Sequence, residues 1–133
     1  MIVIDASALL ELLLGTERAE RVAARALAPS ERLHAPHLID IEVSQALRRI
    51  VQLKSLTAVR AGQALDDLAG FVIERYGHQD LLPRVWSLRE SMTAYDATYV
   101  ALAEALDAPL LTCDAKLGRA HGHRATIEVI AAE

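Results

Sequence analysis

The chain has 133 residues, 53% hydrophobic but only 4% aromatic, with one cysteine and with 14 Lys and Arg against 18 Asp and Glu for a net charge of −4. The length suits one domain whose core needs no metal or disulfide staple; the lone Cys113 excludes an internal disulfide and fits a reducing compartment; few aromatics argue against a stacking platform for single strands, and the acid excess argues, at face value, against a nucleic-acid partner. No apolar run approaches the roughly 20 residues of a membrane span, and Met1 leads straight into Ile2-Val3-Ile4 without a basic leader, so the expectation is one cytoplasmic domain over residues 1–133 with no membrane association.

Residues 2–5 read as a short buried strand and 7–14 as a helix closed by Gly15, which tolerates the left-handed terminal conformation. Thr16 is placed to cap a second helix that runs to Ala28 and stops at Pro29. Residues 33–35 form a candidate strand. Between His37 and Leu53 the residues Ile39, Val43, Ala46, Leu47 and Ile50 recur at helical spacing, and 57–69 reads as another helix. Residues 71–76 read as strand and 81–92 as helix, with Pro83 tolerated in its first turn. Thr93 caps the next helix, whose apolar face is Tyr95, Tyr99, Leu102 and Leu106 and whose end precedes Pro109. Residues 110–113 read as a buried strand ending at Asp114, followed by a helical turn at 115–119 and a last strand at 126–130. This alternation predicts an α/β fold with a mostly parallel sheet and helices on both faces. Ligands of such sheets gather at the carboxyl ends of the strands, where the strand order reverses.

Four acids fall where that rule points. Asp5 closes the first strand, Asp114 closes the strand at 110–113, Asp96 sits in the first turn of a helix, and Glu42 borders an apolar stripe one turn from Leu38 and Ala46. No basic residue stands three or four positions from Glu42, so its partial loss of water has to be offset by a cation, a proton or hydrogen-bond donors. Each acid also has a plainer reading: Asp5 and Asp114 as helix caps, and Asp96 as the last member of a near capping box, Thr93-Ala94-Tyr95-Asp96. Their convergence on one sheet edge outweighs those readings. Carboxylates without His or Cys neighbours suit a hard cation, Mg²⁺ or Mn²⁺ rather than zinc. Such an ion activates water and stabilises charge on a phosphoryl oxygen, so the chemistry implied is hydrolysis of a phosphate ester or phosphodiester. Neither a phosphate-cradling glycine loop nor a Ser-His-Asp set accompanies the acids.

Ser7 and Thr112 each stand two positions from an acid, where a hydroxyl can orient a ligand or a water; helix capping and strand preference explain them as well. The acid-free stretch holding Lys116, Arg119, His121, His123 and Arg124 follows Asp114 and suits either a phosphate backbone or a solvated turn.

Taken together, Ile4-Asp5-Ala6-Ser7-Ala8-Leu9, Glu42 within Asp40-Ile41-Glu42-Val43, Tyr95-Asp96-Ala97 followed by Tyr99-Val100-Ala101-Leu102-Ala103, and Leu111-Thr112-Cys113-Asp114 with Leu117 resemble a PIN-domain protein of the VapC toxin type over essentially the whole chain. The resemblance implies an α/β/α sandwich and a Mg²⁺- or Mn²⁺-dependent endoribonuclease that cuts structured RNA such as tRNA or rRNA. It also implies a homodimer, assembled into a heterotetramer or larger with a VapB-type antitoxin whose tail occupies the acidic groove. Asp5, Glu42, Asp96 and Asp114 match the family's four acidic positions, and Ser7 and Thr112 its accessory hydroxyls. Some PIN proteins carry a further acid just after the last one, where Ala115, Lys116 and Leu117 supply none.

On this reading Asp5 and Asp114 bind the ion from strand ends, Glu42 and Asp96 hold its waters, one of which attacks, and Lys116, Arg119, Arg84 and Arg89 are candidates for contact with RNA. Two alternatives stay open. One is a haloacid-dehalogenase-like phosphatase with Asp5 as nucleophile, although Ser7 stands where those phosphatases carry a second acid. The other is a non-catalytic binding module with an acidic groove. Setting the four acids aside leaves 14 against the 14 basic residues. The negative charge is then local, and RNA binding is expected to depend on a divalent cation.

Overall fold

A computed structural model describes residues 1–132. Strand β1 (Ile2–Ile4) lies at the centre of a five-stranded sheet, flanked by β2 (Leu33–Pro36) and β4 (Leu110–Thr112), with β3 (Ile73–Tyr76) outside β2 and β5 (Ile127–Val129) outside β4. Every pairing is parallel, with Val3 opposite His34 on one side and Leu110 on the other. Ile2, Val3, Ile4, Leu110 and Leu111 are fully buried, as the unbroken apolar run of a strand covered on both faces requires. The chain winds from β1 out to β2 and β3, then returns to β4 on the other side of β1. The order therefore reverses between β1 and β4, and a crevice opens at their carboxyl ends.

Helix α1 (Ala6–Leu14) starts at Asp5 and ends at Gly15, whose φ of 62° is the left-handed cap expected there. Helix α2 (Ala19–Ala26) starts later than the Thr16 cap predicts. The Thr16 hydroxyl turns back to Glu11, and α2 begins at Arg18 without a side-chain cap. Arg18 instead donates to the carbonyls of Cys113 and Ile130 at 3.3 Å each, tying the start of α2 to the distant edge of the sheet. Helices α3 (Leu38–Gln52) and α4 (Ala58–Gly70) follow the predicted periodicity, α4 capped by the Thr57 hydroxyl accepting from Arg60 N at 3.1 Å.

Two predicted boundaries move for tertiary reasons. β3 starts at Ile73 rather than Phe71, because the ladder with β2 begins at Leu33 opposite Ile73; Val72, beyond the ladder, is 91% exposed. After a 3-10 turn at Gln79–Leu81, α5 (Leu82–Ser87) stops short of the predicted 92. Bonds from Arg89 N to the Trp86 carbonyl and from Ser91 N to the Leu88 carbonyl tighten the chain into three-residue turns, and Leu88 drops into the core.

Helix α6 (Ala94–Leu106) packs over β1, β2 and β4, and α5 packs on it. Its predicted one-sided face is corrected: Tyr95 is exposed, while Ala97 through Ala103 are buried without interruption, the pattern of a helix covered nearly all round. α1 packs against α2, α3 and α4, completing an α/β/α sandwich. The short α7 (Ala115–Gly118) lies on β5, and a Cβ added at Gly118 would meet Val129 Cγ2 at 2.6 Å, so this glycine permits the close approach. No helix among the described residues is long and apolar enough to cross a membrane.

Candidate active site at the strand-order reversal

Asp5 forms the floor of the crevice. It leaves β1 in an extended conformation and caps α1, one carboxylate oxygen accepting from Ala8 N at 3.0 Å and from the Ser7 hydroxyl at 2.7 Å. The other oxygen accepts from the Thr112 hydroxyl at 2.5 Å. Ser7 Oγ in turn accepts from Cys113 N at 2.9 Å, and Thr112 Oγ1 from Asp114 N at 3.0 Å. The two accessory hydroxyls thus stitch the end of β4 to the start of α1, and the carboxylate they hold has its rotamer fixed by donors from both sides of the reversal. Asp5 is buried, and its carboxyl is pushed up to about 6, chiefly by loss of water; the three donors oppose that shift and Asp96 adds to it.

The other acids approach from three different elements. Asp114 caps α7 by accepting from Lys116 N at 2.9 Å. Asp96 lies in the first turn of α6, whose end is capped by Thr93 Oγ1 accepting from Asp96 N at 3.2 Å. Burial and then the charge of Asp114 raise the Asp96 carboxyl, while Lys116 pulls it down. Glu42 reaches in from α3; burial and the charge of Asp96 raise its carboxyl, and the Tyr99 hydroxyl opposes them. The plainer readings hold for Asp5 and Asp114, which cap helices, and capping fixes the orientation of their carboxylates.

Tyr99 is a residue that the sequence pattern assigned to the core alone. Its ring is buried, and its hydroxyl, also buried, stands beside the Glu42 carboxylate, near enough to act on it but short of the geometry of a full hydrogen bond. The available signal was its position three residues after Asp96, on the same side of α6.

None of the four acids takes part in an ion pair among the described residues. No set of three His, Cys, Asp or Glu side chains among them is drawn closely enough to hold a metal ion in the ligand-free arrangement. The chemistry of the donors still fits a hard ion: Asp5, Glu42 and Asp96 are carboxylates with raised proton affinity, and Mg²⁺ needs only one or two carboxylates because it keeps several waters.

The basic candidates divide. Lys116 and Arg119 are exposed on and just after α7, and the charge of Lys116 reaches Asp96. Arg89 is exposed, with its guanidinium 4.8 Å from the Trp86 ring centre. Arg84 is committed elsewhere, donating to both oxygens of Glu104 at 2.8 and 3.0 Å and to the Gly122 carbonyl at 3.2 Å. A guanidinium that neutralises a nearly buried carboxylate anchors α5 to α6, and its side chain stays 31% exposed. His123 bonds the Ala120 carbonyl and Ala125 N at 3.1 Å each and shapes the following loop, as the plainer reading had it.

Comparison with known proteins agrees with this fold. A PIN domain is matched over residues 2–122. The VapC ribonuclease Mb0985 of Mycobacterium bovis is 44% identical over 117 residues, covering 88% of each chain. Among solved structures, the sarcin-ricin-loop-cleaving toxin VapC20 of Mycobacterium tuberculosis superposes with a TM-score of 0.71 at 16% identity, covering 93% of this chain and 97% of that one. VapBC2 of Rickettsia felis, bound to a DNA fragment from its promoter, gives 0.70 at 15% identity with 97% and 98% covered. At those identities the two structures speak for the fold alone. With a PIN domain spanning most of its length and a close VapC relative along nearly all of it, the chain belongs to the PIN-domain family and, within it, to the VapC ribonucleases.

Proposed function

We propose that residues 1–133 act as a single nuclease domain, a divalent-cation-dependent endoribonuclease that cuts structured RNA such as tRNA or rRNA and is restrained by a VapB-type antitoxin. The observation that carries this reading is the convergence of Asp5, Glu42, Asp96 and Asp114 on the carboxyl ends of β1 and β4, none of them in an ion pair among the described residues. Asp5, Asp96, Asp114 and Glu42 are the residues that would hold Mg²⁺ or Mn²⁺. When bound, the ion supplies positive charge that acidifies water and neutralises charge growing on a phosphoryl oxygen.

The chain's own groups do the rest. Ser7 and Thr112 keep the Asp5 carboxylate in one orientation. Glu42 and Asp96, from α3 and α6, would hold the attacking water, and one of them would take up its proton as the bond from phosphorus to the leaving oxygen breaks. Lys116 and Arg119 neutralise neighbouring phosphates and position the backbone, with Arg89 a further contact beside the exposed Trp86. A phosphoenzyme on Asp5 has little support, since Ser7, Ala8 and Thr112 already engage both of its oxygens. Exposed Ile41, Val59 and Trp86 on α3, α4 and α5 support assembly into a homodimer and a heterotetramer or larger with antitoxin, working in the cytoplasm.

The test is cleavage of a purified tRNA and rRNA pool with Mg²⁺, with EDTA, and by Asp96→Asn. Cleavage that appears with Mg²⁺ and disappears in the other two arms is the expected result. Cleavage surviving both would overturn the metal-dependent reading, and no cleavage by the free wild-type chain would leave the binding module in its place.

A further inference from the structure

Beyond the four acids and two hydroxyls, the floor of the crevice holds a polar group of another kind. Tyr99 is 1% exposed, and its hydroxyl is a buried polar atom with no completed hydrogen bond. An orphaned buried hydroxyl carries a cost comparable to that of losing a hydrogen bond, and a phenylalanine would fill the same space without it. The groups around this one are all acids: Glu42 beside it, with Asp5 and Asp96 near enough for their charges to act on it. A phenol among carboxylates keeps its proton and is therefore a donor. Helix geometry puts it there deliberately, because Asp96 and Tyr99 share one side of α6 while Glu42 approaches from α3.

We propose that Tyr99 is a positioning residue for the nuclease site: its buried hydroxyl donates to the Glu42 carboxylate and selects which oxygen of Glu42 faces the reacting phosphate. Glu42 is the acceptor beside the hydroxyl, and completing that bond satisfies the buried donor. Ser7 and Thr112 supply the same service to Asp5 from β4 and α1, so each of the two buried-side acids has its own neutral hydroxyl donor. This inference rests on the nuclease reading above for its activity readout alone; two further readouts are independent of it.

Tyr99→Phe keeps the ring and deletes the donor. The expected result is a thermal midpoint equal to or above wild type together with about 10–100-fold slower RNA cleavage, the loss usual when a ligand-orienting partner is removed. The loss falls on kcat rather than KM, since the RNA is gripped elsewhere. In a Glu42→Ala background, which removes the acceptor, Tyr99→Phe costs nothing further, because the two residues act as a unit. By calorimetry, Mn²⁺ binding to Tyr99→Phe weakens by a similar factor, and this holds whether or not RNA is cut. Tyr99→Leu, which also removes the ring, lowers the midpoint and marks what a structural role alone would do. The proposal is overturned if Tyr99→Phe cleaves and binds Mn²⁺ like wild type, or if its loss adds in full to that of Glu42→Ala. Should Tyr99→Phe not fold, NMR on the wild type decides: a Tyr99 hydroxyl proton that is protected from exchange with Mg²⁺ and loses protection in Glu42→Ala supports the bond, and equal protection in both overturns it. A wild type that binds Mn²⁺ but cuts no RNA refutes the nuclease reading and leaves these two readouts to judge Tyr99.

Discussion

The acids of this protein are treated in two ways. Glu104, with a side chain only 4% exposed, is met by the Arg84 guanidinium at 2.8 Å and by Arg124 N at 2.7 Å, and Arg84 above all holds its carboxyl below the usual range. Asp5, 5% exposed, is comparably buried but is met by hydroxyls and an amide, and its carboxyl is pushed up to about 6. The fold does not lack arginines: Arg75 binds Asp40 at 2.7 and 2.8 Å, and Arg25 binds Glu128 at 2.7 and 3.2 Å. It withholds them from the crevice. Paired acids fasten α5 to α6, β3 to α3 and β5 to α2, whereas the acids of the crevice have no ion-pair partner among the described residues.

The strongest challenge to this contrast is Asp96→Asn. Cleavage should fall by about 10²–10⁴-fold, while thermal unfolding without divalent cation shifts upward or stays put because repulsion from Asp114 is relieved; a midpoint that falls sharply would make Asp96 a structural acid. Next comes Arg84→Ala, which strands Glu104 and should cost about 3–5 kcal/mol in urea unfolding, and a cost under about 1 kcal/mol would erase the distinction between the two regions.

Opposite pH signs provide the third test. The Asp5 shift from 3.8 to about 6 is worth about 3 kcal/mol. Between those two values the folded chain binds more protons than the unfolded one, so stability declines as pH rises through that window. Asp5→Asn should flatten the decline, and Mg²⁺ should offset it in the wild type. Glu104, held low, acts in reverse: its stabilisation is complete above its ordinary value of 4.5 and fades as pH drops through its folded value. Unfolding midpoints across pH 3 to 8 would separate the two, and identical slopes in wild type and Asp5→Asn would refute the assignment. The smallest effect is expected from Arg25→Ala, at most about 1 kcal/mol, since that pair is about a third exposed and screened by salt.

Much of this was legible in the residues themselves. The apolar runs at 2–4 and 110–112 marked central parallel strands, the periodicity over 38–52 marked a helix, and acids immediately after strands pointed to the sheet edge where they lie. Other features left no such trace. Arg84 looked free because its partner Glu104 is twenty residues on in another helix, and the end of α5 looked helical because Leu88 breaks the helix only by turning into a core formed by distant residues. Tyr99 fitted an apolar stripe, and a helical wheel does not show where a hydroxyl ends.

By itself the sequence determined the order of strands and helices and the caps that hold Asp5 and Asp114, because periodicity and capping depend on neighbours within a few residues. Tertiary structure alone decided which acids receive an arginine, which remain uncompensated at the β1/β4 crevice, and which hydroxyl lies beneath Glu42. Charge pairing and burial depend on which distant segments the fold brings together, and no short stretch of chain carries that information.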